Sequence, residues 1–297
     1  MLVNAVVVTY NRCNLLKVAL EKLTKQTYKL NRIVVVDNAS TDGTRDYLET
    51  LDDNIFNILY LEKNLGGAGG FHYGIKKAYE LGCDYLWIMD DDTVCKEDAL
   101  EKLMMAKDIL KEKWGFLTSN VLFKDEKPCL MNIPTPTYVW NEYVKDGLIN
   151  ISHTSFVAMF IPADVVYEVG LPVKEYFIWG DDGDYSRRIA AKYPGYLYSH
   201  STVYHYMNEN IGVDIFNTPK QRIGRFFYFY RNTMASFIRA SLYEGFRFWC
   251  LNQILILKIL FSKTKYKFKK IFVIQKGLLC GIFMKYKIEY VEKICDE

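Results

Sequence analysis

The stretch WIMDDDTVCKED, residues 87–98, places Asp90, Asp91 and Asp92 directly behind an apolar run with the composition of a buried strand. Like charges this close together repel and raise each other's pKa unless a positive group lies among them. In an extended chain the side chains at i and i+2 point the same way, so we expect Asp90 and Asp92 to face one ligand and Asp91 to point elsewhere. Carboxylate oxygens favour Mg²⁺ or Mn²⁺, so the stretch predicts a divalent-cation site. A solvated acidic turn or a helix N-cap would account for one or two of these carboxylates, but poorly for three.

Buried strands and helices alternate on the N-terminal side of this stretch. Apolar runs predict four strands, at 2–9, 33–37, 55–62 and 84–90. Helical spacing predicts the intervening helices, at 15–26, from about Arg45 and from about Phe71. Such a βαβ pattern predicts an α/β fold with a mostly parallel central sheet. Ligands bind beyond the carboxyl ends of parallel strands, so Asp37 and Asp90–Asp92 fall on the functional edge.

The chain that follows Asp92 is less regular. After an irregular or antiparallel region that contains Pro128, Pro134 and Pro136, we expect a strand and a short helix within 154–170. The other predicted elements are a helix at 97–112, a strand at 115–123, a helix that closes at Pro194–Gly195 and a strand at 196–206.

Charge divides the chain of 297 residues into two regions. Residues 1–219 hold 22 Lys and Arg against 30 Asp and Glu, a net charge of −8, whereas 220–297 hold 16 against 5, a net charge of +11. The second region is also aromatic and apolar. Such asymmetry indicates two regions with different partners.

Cysteine usage and the N-terminus bear on the compartment. The seven cysteines are scattered without a CxxC pair, which indicates reduced thiols and neither a zinc ribbon nor a disulfide framework. The N-terminus, MLVNAVVVTYNR, lacks the pattern of a secretory signal peptide. We therefore expect a cytoplasmic protein.

Five motifs in order carry a family resemblance. VVTYNR (7–12), VVVDNAS (34–40), NLGGAGGFHYG (64–74), WIMDDD (87–92) and FIWGDDGDYSRR (177–188) resemble the inverting glycosyltransferases of family 2, which have the GT-A fold. The similarity covers roughly residues 1–240. Within the family, the motifs look most like those of bacterial galactofuranosyltransferases, with rhamnosyltransferases as near relatives. The resemblance implies a GT-A nucleotide-sugar-binding domain at 1–220 and a helical extension at 221–297.

The resemblance also implies a donor site. Asp37 matches the aspartate that hydrogen-bonds the uracil or thymine ring, although a strand-end cap is the structural alternative. The other positions implied to contact the nucleotide-sugar are Thr9, Tyr10, Arg12, Asn64, Gly67, Asp90, Asp91 and Arg231. The glycines at 66–70 lack the Rossmann spacing. They would let the backbone approach the sugar and diphosphate, or they would form a tight turn without a ligand.

Metal binding and catalysis are implied by further matches. Asp90 and Asp92 match the family Asp-x-Asp, and His205 matches a histidine that completes the metal site, with His200 as the nearby alternative. Asp182 matches the general base that accepts the proton of the acceptor hydroxyl, and Asp181 is expected to orient acceptor hydroxyls. Helix-terminal charges that favour the dipole are the structural alternative for this pair.

Trp179 is expected to contact the acceptor. Here the chain departs from the family pattern, because Gly180 stands between Trp179 and the aspartate pair.

The basic end has two interpretations. Its apolar runs are shorter than the ~20 residues needed to span a bilayer. Aromatic and aliphatic residues interleaved with Lys and Arg favour amphipathic helices on an anionic membrane surface. The alternative is a helical subdomain packed on the core, including an oligomer contact. Nucleic acid is not an expected partner, because no recognition motif accompanies the charge.

The sequence thus predicts a metal-dependent, inverting hexosyltransferase at the inner face of the cell membrane. The expected donor is UDP-galactofuranose and the expected acceptor a lipid-linked saccharide in surface polysaccharide synthesis, with Mn²⁺ or Mg²⁺ as cofactor. Two alternatives remain: a rhamnosyltransferase that uses dTDP-rhamnose, and a non-catalytic, membrane-bound glycan-binding protein of the same fold.

Overall fold

The predicted strands lie side by side in one mixed sheet. A computed structural model describes residues 1–110 and 112–293. Its strands are β1 (Val3–Thr9), β2 (Arg32–Asp37), β3 (Phe56–Tyr60), β4 (Tyr85–Asp90), β5 (Thr93–Cys95), β6 (Phe116–Phe123), β7 (Thr135–Pro136), β8 (Leu148–His153), β9 (Met159–Pro162) and β10 (Gly195–His205). The order across the sheet is β3-β2-β1-β4-β9-β6-β10-β8-β7, and β5 pairs with β10.

The sheet has a parallel half and a largely antiparallel half. Strands β1 to β4 pair in parallel, as the alternation of strands and helices predicts. Strand β9 is antiparallel to both β4 and β6, and β8 is antiparallel to β10, whereas β6 and β10 are parallel. The sheet is therefore mixed, and its parallel part is the half that precedes the acidic stretch.

Helices cover both faces of the sheet. They are α1 (Cys13–Thr24), α2 (Thr44–Leu48), α3 (Gly66–Glu80), α4 (Ala99–Ile109), α5 (Ala163–Val169), α6 (Asp181–Ala190), α7 (Phe226–Ala240), α8 (Leu242–Phe261) and α9 (Lys267–Ile282). Successive β1 residues point to opposite faces. Val3, Ala5 and Val7 pack in one cluster with α1 and α4, and Val6 and Val8 pack in a second with α3, α5 and α6.

Helix α3 begins at Gly66, five residues before the predicted start at Phe71, because the glycines are themselves helical. A Cβ on Gly70 would lie 2.4 Å from Val8 Cγ1, and one on Gly74 would lie 2.6 Å from Val6 Cγ1. These distances are too short for any side chain, so part of the glycine-rich motif serves close packing of α3 on the sheet.

The C-terminal helices pack on one another and on the core. A separate cluster forms around α7, α8 and α9. Its buried residues include Ile223, Phe226, Tyr230, Ile274 and Leu278. No helix within 1–110 and 112–293 combines the length and apolarity needed to cross a membrane. The division at 220/221 stays a prediction, and residues 294–297 of the predicted extension lie outside the described part of the chain, as does Cys295.

The segment after α9 returns to the core and is held there by Glu289. Leu171 N donates to Glu289 O over 2.7 Å. The Glu289 carboxylate accepts from Lys76 Nζ at 2.9 Å and from Lys174 Nζ at 2.8 Å, and the buried His72 Nε2 lies 3.2 Å away. This cluster ties the end of the chain to α3 and to the loop before α6.

We predict a pH-dependent stabilisation by Glu289. The hydrogen bond from Lys174, and then that from Lys76, lowers the pKa of Glu289 to about 2. A carboxyl whose folded-state pKa is lowered stabilises the fold above its unfolded pKa of ~4.3, and this contribution is lost as the pH falls through the folded value. Glu289→Gln should lower the free energy of unfolding at pH 6 by at most about 1 kcal/mol, because the site is partly exposed. In urea unfolding, the difference from the wild type should shrink between pH 4 and pH 2, and a pH-independent difference would contradict the assignment.

Candidate active site

Three strand ends bring polar side chains to one edge of the sheet. In the parallel register, Thr9 of β1 lies beside Asp37 of β2, and Val8 lies beside Asp90 of β4. This is the carboxyl edge of the parallel half, where the crossover connections leave room for a ligand.

Asp91 points toward the N-terminal loop. Its Oδ2 accepts from Thr9 Oγ1 at 2.7 Å, and its Oδ1 accepts from Arg12 Nη1 at 3.1 Å. The same Arg12 nitrogen donates to Asp92 Oδ2 at 2.6 Å. Arg12, assigned above to the nucleotide, therefore partly neutralises the acidic stretch.

Asp90 and Asp92 lie close to His205. Each of the three offers a ligand atom, and these atoms lie within 4.8 Å of one another. Strand β10 carries His205 there because it pairs with β5, in register with Thr93. His200 is exposed and lies edge-on to Tyr198, and the register between β6 and β10 shifts between Tyr198 and Thr202.

The orientation of His205 is fixed by Asn132, which sequence reasoning missed. The His205 Nδ1–H donates to Asn132 Oδ1 at 2.7 Å, and Asn132 Nδ2 donates to Ser155 Oγ at 2.7 Å. With Nδ1 donating, the neutral imidazole turns the lone pair of Nε2 toward the carboxylates. A metal-ligating histidine has this arrangement.

Arg12 and His205 do not fully compensate the negative charge of Asp90, Asp91 and Asp92, as the pKa values of these groups indicate. Burial raises the pKa of Asp90 to about 7, and Asp92 and Asp91 add to this effect. Burial likewise raises the pKa of Asp91 to about 6, despite Arg12. Burial also opposes ionisation of Asp92, but His205 and Arg12 outweigh it and hold its pKa below the usual value. For His205, burial favours the neutral form and so lowers the pKa. The Asp92 carboxylate outweighs this effect and raises the pKa of His205 to about 10.

The donor set fits a divalent cation. Asp92 Oδ1 is buried and accepts no hydrogen bond from the residues that the structure describes, although His205 Nε2 lies 3.1 Å away. Two carboxylates and one imidazole are suitable ligands for Mn²⁺ or Mg²⁺. To hold such an ion, Asp90 and Asp92 would have to be ionised and His205 neutral, so binding would be favoured by loss of protons from the cluster.

The second acidic pair lies at the start of α6. Asp181 is buried, and its pKa is raised well above the usual range by burial, by Asp182 and also by Asp90. Asp90 and Asp181 are thus close enough to interact electrostatically. Asp182 is partly exposed, and its Oδ1 accepts from Gly183 N at 2.6 Å.

Two aromatic rings flank this pair. His153, on β8, was not identified from the sequence; burial lowers its pKa, whereas the Asp182 carboxylate acts to raise it. Its Nε2 would be 2.7 Å from a Cβ on Gly183. Trp179 packs against Phe226 with ring centroids 5.2 Å apart, so part of the indole is used in packing.

The donor-side positions form a loop network. Asp37 Oδ1 accepts from Ser40 N at 3.0 Å, and Asn64 Oδ1 accepts from Gly66 N at 2.7 Å. The buried Asn38, another residue that the sequence did not reveal, accepts from Leu65 N and donates to Gly66 O, both at 2.8 Å. These bonds match the structural alternatives considered for Asp37 and for the glycine turn.

Three other donor-side positions, Tyr10, Gly67 and Arg231, are not part of this loop network. Tyr10 is 43% exposed, and a Cβ on Gly67 would meet nothing within 4 Å, so open space adjoins both. Arg231 Nη2 instead donates to the backbone carbonyls of Glu175 and Tyr176, each at 3.0 Å. A contact of Arg231 with the diphosphate stays a prediction.

The chain is similar in sequence and in fold to known glycosyltransferases. Residues 5–109 match the model of glycosyl transferase family 2. The galactofuranosyltransferase GlfT1 of Mycolicibacterium smegmatis is 27% identical over 204 residues, which cover 62% of this chain and 64% of the relative. The match thus spans a little under two thirds of the length of that relative.

Solved structures share the fold. Staphylococcus aureus TarS 1-349 in complex with UDP-GlcNAc has a TM-score of 0.61 at 16% identity, covering 93% of this chain and 80% of that one. GalNAc-T7 with UDP, GalNAc and Mn²⁺ has a TM-score of 0.60 at 15% identity, covering 80% and 47%. Residues 5–109 are therefore a glycosyltransferase family 2 domain, and the chain shares the GT-A fold of the similar structures.

Proposed function

We propose that the chain catalyses the metal-dependent, inverting transfer of galactofuranose from UDP-galactofuranose to a lipid-linked saccharide in surface polysaccharide synthesis. The observation that carries the proposal is the group formed by Asp90, Asp92 and His205, whose ligand atoms lie within 4.8 Å of one another, together with the electrostatic effect of Asp90 on Asp181 at the start of α6. The named activity of the GlfT1 relative supports the donor sugar, and the UDP bound in the similar structures supports the nucleotide.

Asp90, Asp92 and His205 would hold the cation. When bound, the metal ion supplies Lewis-acid stabilisation of the charge that builds on the departing diphosphate. Asn132 keeps the His205 lone pair directed at the site, and Arg12 fixes Asp91 and Asp92. These residues therefore set the position from which the diphosphate leaves.

Asp182 would accept the acceptor's proton. The acceptor hydroxyl attacks the anomeric carbon from the face opposite the diphosphate, and its proton passes to a carboxylate. Asp182 suits this role because it is partly open and lies beside the buried Asp181, which would orient acceptor hydroxyls. Trp179 would contact the acceptor with the part of its indole that Phe226 leaves uncovered.

The donor would lie over the carboxyl edge. Asp37 would read the pyrimidine ring, with Thr9 and Tyr10 beside the base. The open space at Gly67, at the amino end of α3, would receive the diphosphate and sugar, because the positive end of the helix dipole favours negative charge there. Asn64 would act by holding the turn that leads into this helix.

A donor screen tests the proposal. Each UDP- and dTDP-sugar is incubated with Mn²⁺ or EDTA, and nucleotide release is measured with and without acceptor. We expect release that requires Mn²⁺ and is fastest with UDP-galactofuranose. Preference for dTDP-rhamnose would replace the donor assignment, and no release with any sugar would indicate a non-catalytic glycan-binding protein.

We also propose that α8 and α9 contact an anionic membrane surface, so that the protein is peripheral on the inner face of the cell membrane. Many of the exposed apolar residues of these helices recur at helical spacing, so they share one face of each helix. They are Tyr243, Phe246, Ile254, Leu257 and Phe261 on α8, and Phe268, Phe272 and Leu279 on α9. Exposed lysines adjoin them, at 258, 263, 265, 269 and 276. Apolar and basic groups together suit a lipid surface with negative headgroups.

Point substitutions test this contact better than truncation, because the segment after α9 packs on the core through Glu289. The double change Phe268→Ser and Phe272→Ser should abolish sedimentation with anionic vesicles. A matched control, Ile133→Ser with Tyr138→Ser, removes two exposed apolar residues elsewhere and should bind as the wild type does. Binding of the wild type should also weaken with salt, since screening acts over ~8–10 Å at 0.1–0.15 M. Equal sedimentation with neutral and anionic vesicles would contradict the electrostatic part.

A further inference from the structure

The segment that precedes the acidic pair, residues 174–180, has an unfavourable backbone conformation. Phe177 and Trp179 have φ values of 65° and 62°, in the left-handed region, and Gly180 follows at 90°. Residues with side chains rarely adopt such angles, and they keep them only where surrounding contacts impose them. A bond from Ile178 N to Tyr176 O, at 2.8 Å, closes a turn at Phe177, and two further sets of contacts come from outside the segment.

Asn232, on α7, makes the first set of contacts. Its side chain is completely buried, and its Nδ2 donates to the carbonyls of Tyr176, Ile178 and Trp179 at 2.9, 3.2 and 2.6 Å. Asn232 Oδ1 accepts from Arg231 Nε at 2.9 Å, which fixes the orientation of the amide. Arg231 adds its own bonds to the carbonyls of Glu175 and Tyr176.

The amino end of α3 makes the second set of contacts. Ala68 N donates to Phe177 O at 3.1 Å. A Cβ on Gly66 would lie only 1.9 Å from the same oxygen, so the approach requires glycine at this position. Residues 174–180 are thus held between α3 and α7, and they end at the cap of α6, which carries Asp181 and Asp182.

We propose that Asn232 is a positioning residue for Asp181 and Asp182. One side chain satisfies three carbonyls of a strained segment, and the segment joins the acidic pair directly. Without the amide, the part-buried carbonyls of Ile178 and Trp179 lose a donor, whereas Tyr176 O keeps its bonds from Arg231 and from Ile178 N. The backbone near Trp179 can then relax toward ordinary angles. The start of α6 would then shift relative to Asp90, Asp92 and His205.

Helix α7 thus has a role in positioning the acidic pair. Asn232, in the YRN sequence at 230–232, supports the acidic pair through the backbone and not by touching substrate. The functional half of the inference rests on the proposed sugar transfer, whereas the structural half concerns the backbone of 174–180 alone. The two halves therefore need separate measurements.

The test uses the full chain with Asn232→Ala and the milder Asn232→Ser, which keeps one donor. Asn252→Ala is the matched control, because Asn252 is also buried but donates to Phe248 O within its own helix, at 2.8 Å. Hydrogen–deuterium exchange is followed in peptides that contain 65–69 and 175–184. Turnover and the Mn²⁺-dependent affinity for UDP are measured on the same samples.

Faster exchange in both peptides, with unchanged UDP affinity and turnover lower by ~10²-fold, is expected for Asn232→Ala, since a displacement of about 1 Å can cost this much. Asn232→Ser should show smaller changes in the same direction, and it carries the test if the alanine variant does not fold. Asn252→Ala should leave exchange in both peptides and turnover as in the wild type.

Unchanged exchange at 175–184 in the serine and alanine variants would overturn the inference. Faster exchange with normal turnover would also overturn it, as would an equal loss of turnover in Asn252→Ala. A wild type without transfer activity would refute the proposed function instead, and the exchange data would still decide whether Asn232 holds residues 174–180.

Discussion

Asp182→Asn should lower turnover by the ~10²–10⁴-fold typical of a positioned general base, while UDP affinity persists. The amide keeps the size and hydrogen-bonding capacity of the carboxylate but cannot accept the proton of the acceptor hydroxyl. Because Asp182 lies at the partly open start of α6, the change should leave the fold intact. Steady-state kinetics and calorimetric titration with UDP and Mn²⁺ measure the two effects separately.

Asp181→Asn is the matched comparison for this prediction. Asp181 is proposed to hold acceptor hydroxyls, so its change should raise the KM for the acceptor more than it lowers turnover. Loss of UDP binding in Asp182→Asn would mean a donor-side or folding role for that residue. Near-normal turnover would place the base elsewhere, with Asp181 as the first candidate.

Asp92→Asn should weaken Mn²⁺-dependent UDP binding by more than the ~10–100-fold that loss of an outer partner typically causes. The substitution removes a charged ligand next to His205 Nε2 and Arg12. Asn132→Leu removes such an outer partner, the acceptor for His205 Nδ1–H, so its effect should fall within the 10–100-fold range. Manganese electron paramagnetic resonance with UDP measures both affinities without enzyme turnover.

Asp98→Asn is the control for the metal series. Asp98 is an aspartate on the same stretch of chain, but its carboxylate pairs with Lys102 at 2.7 Å and is well exposed. Its change should leave metal-dependent UDP affinity as it is. Equal affinities in the wild type and Asp92→Asn would refute the assignment of Asp92 as a ligand.

The sequence was sufficient for the parallel half of the fold. Strands β1, β2 and β4 are largely buried and β3 is partly buried, and helical patterns separate all four. Local composition therefore determines each element, and the βαβ rule determines the pairing. The positions of Asp37 and Asp90–Asp92 at the carboxyl edge followed from that pairing. The antiparallel half was harder to predict from the sequence, because the insertion of β9 between β4 and β6 depends on contacts across the whole domain.

The residues that sequence reasoning missed act over long separations. Asn132 lies 73 residues from His205, and Asn38 lies 27 residues from Leu65. A single asparagine in a polar or aromatic stretch has no distinguishing pattern, and its partners are backbone or ring atoms that only tertiary packing brings near. The roles of the glycine-rich motif were equally hard to predict, because they depend on tertiary contacts. Gly66 lies against the Phe177 carbonyl, and Gly70 packs against Val8.

Nuclear magnetic resonance of the transfer product tests the central claim most directly. UDP-galactofuranose, Mn²⁺ and a saccharide acceptor on a lipid carrier are incubated with the full chain, and the anomeric configuration of the new linkage is determined. The account predicts a configuration opposite to that of the donor, in a product that forms only with the cation and is nearly lost in Asp182→Asn. A product that retains the donor's configuration would contradict the account, because a single displacement assisted by one carboxylate must invert it.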